Sequence, residues 1–117
     1  MFNSLNDKEF CEKLHSLLYE NMSKKINIET VLSNYFGKSF SNIKQRYRRN
    51  LRTTIFTKHE KIRLNYAKEK LLTDTCFNVM FDLGFDYESY FAKWFRKYTK
   101  MNPSEYKIIY GNNQKDC

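Results

Sequence analysis

Residues 76–107 read CFNVMFDLGFDYESYFAKWFRKYTKMNPSEYK, and this stretch decides the fold. Cys76, Val79, Met80 and Leu83 recur at i, i+3, i+4 and i+7, the spacing of one helix face, so a helix is predicted over about 75–83. Thr73, Asp74 or Thr75 caps its start. Gly84 ends it, because glycine enters the left-handed region without strain. A second helix follows at about 87–98, with Tyr90, Phe91, Trp94, Phe95 and Tyr98 inward. Asn102-Pro103-Ser104-Glu105 then opens a third: a cap, proline at the first helical position and glutamate at the third.

Working upstream, the same arrangement recurs. Ile28, Val31, Leu32, Tyr35 and Phe36 make a stripe over 28–36, Gly37 stops it, and Ser39 caps a helix over about 40–51. That helix has Phe40, Ile43, Tyr47 and Leu51 inward, and Ser41, Lys44, Gln45, Arg48, Arg49 and Arg52 opposite. A first helix is expected over 6–22, capped by Asn6 or Asp7, with Phe10, Leu14, Leu17 and Leu18 in its stripe. A long one is expected over 55–72, with Ile62, Ala67, Leu71 and Leu72 inward. The fold is therefore all-α: about seven helices, forming two helix-turn-helix units joined by a long linker helix. Its parts are 1–54 (bracing helix and first unit), 55–72 (linker helix), 73–110 (second unit and C-terminal bracing helix) and 111–117 (flexible tail). Each unit is too short to bury enough surface alone, which is why the outer helices are needed.

Composition agrees. The chain has 117 residues, 3 Gly and 1 Pro, too short for a (β/α)₈ barrel and too poor in turn formers for an all-β domain. With 41% hydrophobic residues it builds a core rather than staying disordered. The formal charge of +8 implies a polyanion partner: DNA, RNA or an acidic membrane surface. Residues 1–20 are net −2, 21–70 net +10 and 71–117 neutral, so the excess lies in the middle. Its densest run, Lys44 to Arg52, reads either as a solvated helix face or as a nucleic-acid surface.

Other classes lack their signatures. The N-terminus has no basic start followed by an apolar run, and no stretch nears the ~18–20 apolar residues that cross a bilayer. The expected location is cytoplasmic, on the nucleoid. A basic amphipathic membrane binder is disfavoured because the apolar faces are needed for packing. Cys11, Cys76 and Cys117 are odd in number and widely spaced, unlike a disulfide framework or zinc ligands. Cys11 and His15 stand four apart as a helical metal pair would, but no second ligand pair exists, so no metal or cofactor is expected. A Gly-rich phosphate loop, paired histidines and a nucleophile–base motif are all missing, so the chain is not expected to be an enzyme.

Gly84-Phe85, then Ser89-Tyr90-Phe91, Phe95 and Pro103-Ser104-Glu105-Tyr106-Lys107 resemble the second helix-turn-helix of AraC/XylS-type transcriptional regulators. Upstream, Arg63-Leu64, Ala67 and Leu71-Leu72 are similar to that family's linker helix. Ser39, Ile43 and Tyr47 are similar to its first recognition helix. The resemblance covers about residues 26–107 and departs at several points. Arg52 and Lys100 stand where the family usually has glycine after each recognition helix. Leu32 and Met80 replace small alanines, Lys58 replaces an aromatic, and the stretch between Leu72 and Cys76 is about three residues short. The resemblance implies transcription control through double-stranded DNA, with two recognition helices in adjacent major-groove segments and an RNA polymerase contact. It implies the stand-alone type, without a ligand-sensing domain in this chain, acting as a monomer because one chain holds two reading heads.

The exposed N-terminal half of a recognition helix enters the groove deepest. That selects Ser41, Lys44 and Gln45 in the first unit, and Glu88, Ser89 and Lys93 (with Ala92 beside them) in the second, as base readers. Arg48, Arg49, Arg52, Arg96 and Lys97 lie further along and hold phosphates. Tyr90, Phe91, Trp94 and Phe95 are read as core rather than as a stacking surface. Phe77 and Phe81 lie four apart and off the stripe of their helix. Burial on two faces is the expectation, and an apolar patch for a protein partner is the alternative. The alternative function is a protein-interaction module on the same scaffold, binding another regulator or polymerase with little DNA affinity.

Overall fold

The structure, a computed structural model, describes residues 5–111. Among the described residues seven helices and no strands are present: α1 Asp7–Glu20, α2 Ile28–Phe36, α3 Phe40–Leu51, α4 Ile55–Lys70, α5 Cys76–Asp82, α6 Glu88–Thr99 and α7 Pro103–Tyr110. The all-α expectation holds, and each helix falls where the apolar spacing put it, within two residues at either end. The predicted tail beyond Gly111 lies outside the described residues. No described helix is long and apolar enough to cross a membrane.

The chain divides into two compact units within α4. One contains the described residues up to Met22 and Ile26–Ile62; the other contains Ser23–Lys25 and the chain from Arg63 onward.

In the first unit, Asn6 accepts from the Glu9 N–H at 2.8 Å and Glu9 accepts from the Asn6 N–H at 3.0 Å, a reciprocal cap that starts α1. The core gathers Phe10, Cys11, Leu14, Leu17 and Leu18 of α1 with Leu32, Phe36, Ile43, Tyr47, Ile55 and Ile62. Each large apolar side chain buried there is worth about 1.5–3 kcal/mol relative to exposure. Gly37 turns at φ 68°, and Ser39 accepts from the Asn42 N–H at 3.3 Å to start α3. Arg46 ties α3 to the start of α1: it donates to the Asp7 carboxylate at 2.9 Å and to the Leu5 carbonyl at 2.8 Å, and lies 4.5 Å from the Phe10 ring centre. Beneath it the Tyr47 hydroxyl meets His15 Nε2 at 2.8 Å.

In the second unit, Ala67, Leu71, Cys76, Val79, Leu83, Phe85, Phe91 and Phe95 are buried. Gly84 sits at φ 83°, and a Cβ there would come within 2.8 Å of the Lys24 nitrogen. That closeness lets the Lys24 N–H donate to the Leu83 carbonyl at 3.0 Å. Arg63, only 5% exposed, also donates to Leu83, at 2.9 Å, and lies 5.4 and 5.1 Å from the Phe85 and Trp94 ring centres. Thr75 caps α5. Cys11 is a free, buried thiol.

Several inward assignments are corrected. Leu51, Tyr35, Tyr90 and Tyr98 are 42%, 48%, 58% and 40% exposed. Tyr90 sits at the edge of its stripe, and Tyr35, Leu51 and Tyr98 fall in the last turn of their helices, where the covering contact runs out. Phe77 and Phe81, expected to be buried, are 64% and 72% exposed and stack on each other at 6.4 Å. Only the face of α5 bearing Cys76, Val79 and Leu83 is covered.

No glycine follows α3 or α6, and the turns there are made at the cost of strain. Arg52 and Lys100 occupy the left-handed region at φ 56° and φ 66°. An L side chain there costs about 1–2 kcal/mol. Lys100→Gly is therefore expected to stabilise the fold by about 1 kcal/mol, read as a raised urea midpoint at unchanged slope.

Burial holds the His15 imidazole below its ordinary 6.5, and the charge of Lys58 pushes the same way. The unfolded chain therefore binds the proton more readily. This stabilisation is complete above about pH 6.5 and is lost as pH falls through the folded value. Urea melts of wild type between pH 7.5 and 5 are expected to show stability declining below pH 6.5, with a smaller decline in His15→Gln.

Candidate nucleic-acid interface

On α3 the core and the open face are separated by helical geometry alone. Ile43 and Tyr47 are fully buried four residues apart. Ser41, Lys44, Gln45, Arg48 and Arg49, with Arg52 at the cap, are exposed. The Gln45 amide donates to the Ser41 hydroxyl at 3.4 Å, and Lys44 Nζ lies 5.5 Å from the Phe40 ring centre. Both arrangements leave most of the polar capacity of these side chains open. The face therefore presents two polar groups and one lysine near the helix start and guanidiniums toward its end. That distribution suits base edges in front and phosphates behind.

On α6, Phe91 and Phe95 are fully buried, and Glu88, Ser89, Lys93, Arg96 and Lys97 are exposed. Here the expected residues divide between two stripes. Glu88, Ala92 and Arg96 line a groove with Asn102, Pro103 and Ser104 at the start of α7. Arg96 donates to the Asn102 side chain, so its guanidinium is partly engaged in holding that turn. Ser89, Lys93 and Lys97 stand clear of this groove at i, i+4 and i+8. Lys97 Nζ lies 5.3 Å from the Tyr98 ring centre. Close by, Lys25 and Asp86 pair at 2.5 Å. The hydrogen bond from Lys25 and its charge hold the Asp86 carboxyl below the usual carboxylate range.

Sequence reasoning missed three features of this surface. Tyr90, read as core, is 58% exposed at the first turn of α6, and Tyr87, to which no role was given, is 62% exposed beside it. Lys107 is fully buried, its ammonium donating to the carbonyls of Leu71 at 3.0 Å and Asp74 at 2.5 Å. It neutralises the carbonyl end of α4 and shapes the short turn before α5. The available signal was its place four residues after the buried Pro103, on the inward face of α7. Asp74 is bonded by Asn78 and by the Thr75 N–H, which lower its carboxyl. Among the described residues no cluster of three or more histidine, cysteine or acidic side chains is placed to hold a metal ion.

The model of a helix-turn-helix domain family matches residues 32–108. The chain is similar to an uncharacterised HTH-type transcriptional regulator in the cgkA 5′ region of Pseudoalteromonas carrageenovora, 29% identical over 104 residues. The match covers 87% of this chain and 62% of that protein, so the chain spans less than two thirds of the relative. Among solved structures it is similar to the C-terminal domain of AraT, a response regulator from Geobacillus stearothermophilus. That match has a TM-score of 0.77, 17% identity and coverage of 91% of this chain and 89% of that one. An AraC-type regulator from Chromobacterium violaceum matches with a TM-score of 0.73 and 17% identity over 92% and 96%. At these identities the structural likeness is one of fold.

Removing the Lys107 ammonium leaves two carbonyls without their donor. Lys107→Met is expected to destabilise the chain by about 2–3 kcal/mol in urea melts, the cost of stranding buried acceptors.

Proposed function

The chain belongs to the AraC-type helix-turn-helix family, and from that premise we propose that it is a sequence-specific, double-stranded DNA-binding transcriptional regulator. The family is one of DNA-binding regulators rather than enzymes. The observation that carries the reading is the α3 surface: an exposed row of Ser41, Lys44, Gln45, Arg48, Arg49 and Arg52, fixed from behind by buried Ile43 and Tyr47.

In this reading α3 and α6 each enter a major-groove segment, whose width of about 12 Å admits one helix. Lys44 donates to guanine O6 and N7, Gln45 pairs with adenine, and Ser41 supplements either. In the second unit Ser89 and Lys93 face bases, and Glu88 accepts from cytosine N4. Arg48, Arg49, Arg52, Arg96 and Lys97 hold phosphates and displace counterions. The chain binds as a monomer, since it carries both reading helices, and it works in the cytoplasm on the nucleoid. RNA polymerase is the protein partner that an activator of this kind engages.

A second reading rests on the exposed Phe77–Phe81 pair and the neutral C-terminal segment. In it the scaffold is a protein-interaction module that binds another regulator or polymerase with little DNA affinity. Retention of a protein partner by a chain with no sequence preference on DNA would favour it.

Binding to a site selected from random duplexes separates the two readings. With roughly 6–10 phosphate contacts, affinity should fall about 10³–10⁵-fold between 50 and 200 mM salt. Lys44→Ala is expected to relax preference at one base pair, while Arg49→Ala weakens all sequences alike. Equal, uniform losses in both variants would refute the division of roles.

A further inference from the structure

The first turn of α6 presents two tyrosines whose hydroxyls have no hydrogen-bond partner among the described residues. Tyr87 is the N-cap residue, extended at φ −131° and ψ 140°, and its side chain makes no capping bond. Tyr90 precedes the fully buried Phe91 by one position, yet it is 58% exposed. The two rings meet edge to face, with centres 5.3 Å apart and planes at 85°. Each ring thus steadies the other in a position open to solvent. Burial that Phe91 and Phe95 obtain on the same helix is forgone here.

The surroundings identify what these rings face. Tyr90, Lys93 and Lys97 fall at i, i+3 and i+7, one stripe along the helix. Glu88 and Arg96 belong to the other stripe, lining the groove at the start of α7. The tyrosine stripe therefore carries cations toward its C-terminal end and neutral aromatic surface at its tip. Cations behind an uncharged tip suit a duplex entered tip first, with phosphates flanking the groove and base edges at its floor. The one apolar group that a base edge offers there is the thymine C5-methyl. Tyrosine hydroxyls also serve as phosphate donors. Perpendicular rings give no parallel platform for successive unpaired bases, so single-strand stacking does not fit.

We propose that Tyr87 and Tyr90 are DNA contacts of the second unit: the Tyr90 ring packs on a thymine methyl in the major groove, and the Tyr87 hydroxyl donates to a phosphate. The assignment rests on the DNA-binding reading and adds an uncharged means of sequence discrimination to a helix whose first turn has no cation. Thymine at one position is then recognised without any hydrogen bond to it.

The test uses the full chain and duplex DNA. A preferred site is first selected from random duplexes, and each thymidine in it is replaced in turn by deoxyuridine, which removes only the methyl. For wild type and for Tyr90→Phe, one replacement is expected to weaken binding about 4-fold, the loss of one buried methyl. For Tyr90→Ala the same replacement is expected to cost nothing, because the ring is already gone. Tyr87→Phe is expected to weaken all sequences alike, about 3-fold. Both positions are exposed, and melting of each variant at the wild-type temperature verifies its fold. An equal deoxyuridine penalty in wild type and Tyr90→Ala, or no penalty at any thymidine, overturns the thymine contact. Unchanged affinity in Tyr87→Phe overturns the phosphate contact. If the wild type selects no site, the regulator reading itself fails, and the tyrosine assignment with it.

Discussion

A twelve-residue helix does not hold itself together in water, because the cost of nucleating it exceeds what so few turns return. Both α3 and α6 are of that length. Each persists through two buried rings or branches four residues apart, Ile43 with Tyr47 and Phe91 with Phe95. Burying one face is what leaves the other face free and rigid. Everything proposed for function depends on that division, since a side chain reads a base only if the backbone beneath it is already in place. The caps serve the same end. Ser39 at the start of α3 and the turn held by Arg96 and Asn102 after α6 define where each exposed face begins and stops.

The two units meet this constraint with different materials. The first surrounds its reading face with cations and keeps its polar core contact, His15 with Tyr47, away from that face. The second uses buried cations as structure. Arg63 lies against Phe85 and Trp94 and caps the Leu83 carbonyl, and Lys107 closes the end of α4. Those two charges serve the fold rather than the exposed surface. The local neutrality of the sequence after residue 70 is therefore only part of the difference. Of the cations after residue 70, Lys107 is turned inward.

Much of the fold was legible because its signals are local. Capping residues, the glycines at 37 and 84, and Pro103 act on the backbone within a few positions, so the chain order alone locates the helix ends. The buried stripes were legible for the same reason at their centres, as with Leu14, Ile43 and Phe95. They failed at their edges. Leu51 and Tyr90 sit where a small rotation of the helix separates contact from solvent, and no local rule sets that rotation. Phe77 and Phe81 were misjudged because apolarity predicts burial only when another element is there to cover it. The candidate site followed the same pattern: exposure of Ser41, Lys44 and Gln45 came from spacing, while the tyrosines of α6 did not.

What the sequence by itself determined is the helix order, the two short pairs, the charge concentrated between residues 21 and 70, and the open face of α3. Propensity, capping and a 3.6-residue period are properties of neighbours along the chain. Only the tertiary structure decided that Lys107 is buried, that Arg96 is engaged by Asn102, that Tyr87 and Tyr90 stand in solvent, and that Arg52 and Lys100 take left-handed turns without glycine. Lys107 depends on carbonyls brought to it from distant positions, Arg96 on how α7 turns back after α6, the tyrosines on which neighbours leave them uncovered, and Arg52 and Lys100 on packing strong enough to impose a strained backbone. None of these is encoded in the spacing of neighbouring residues.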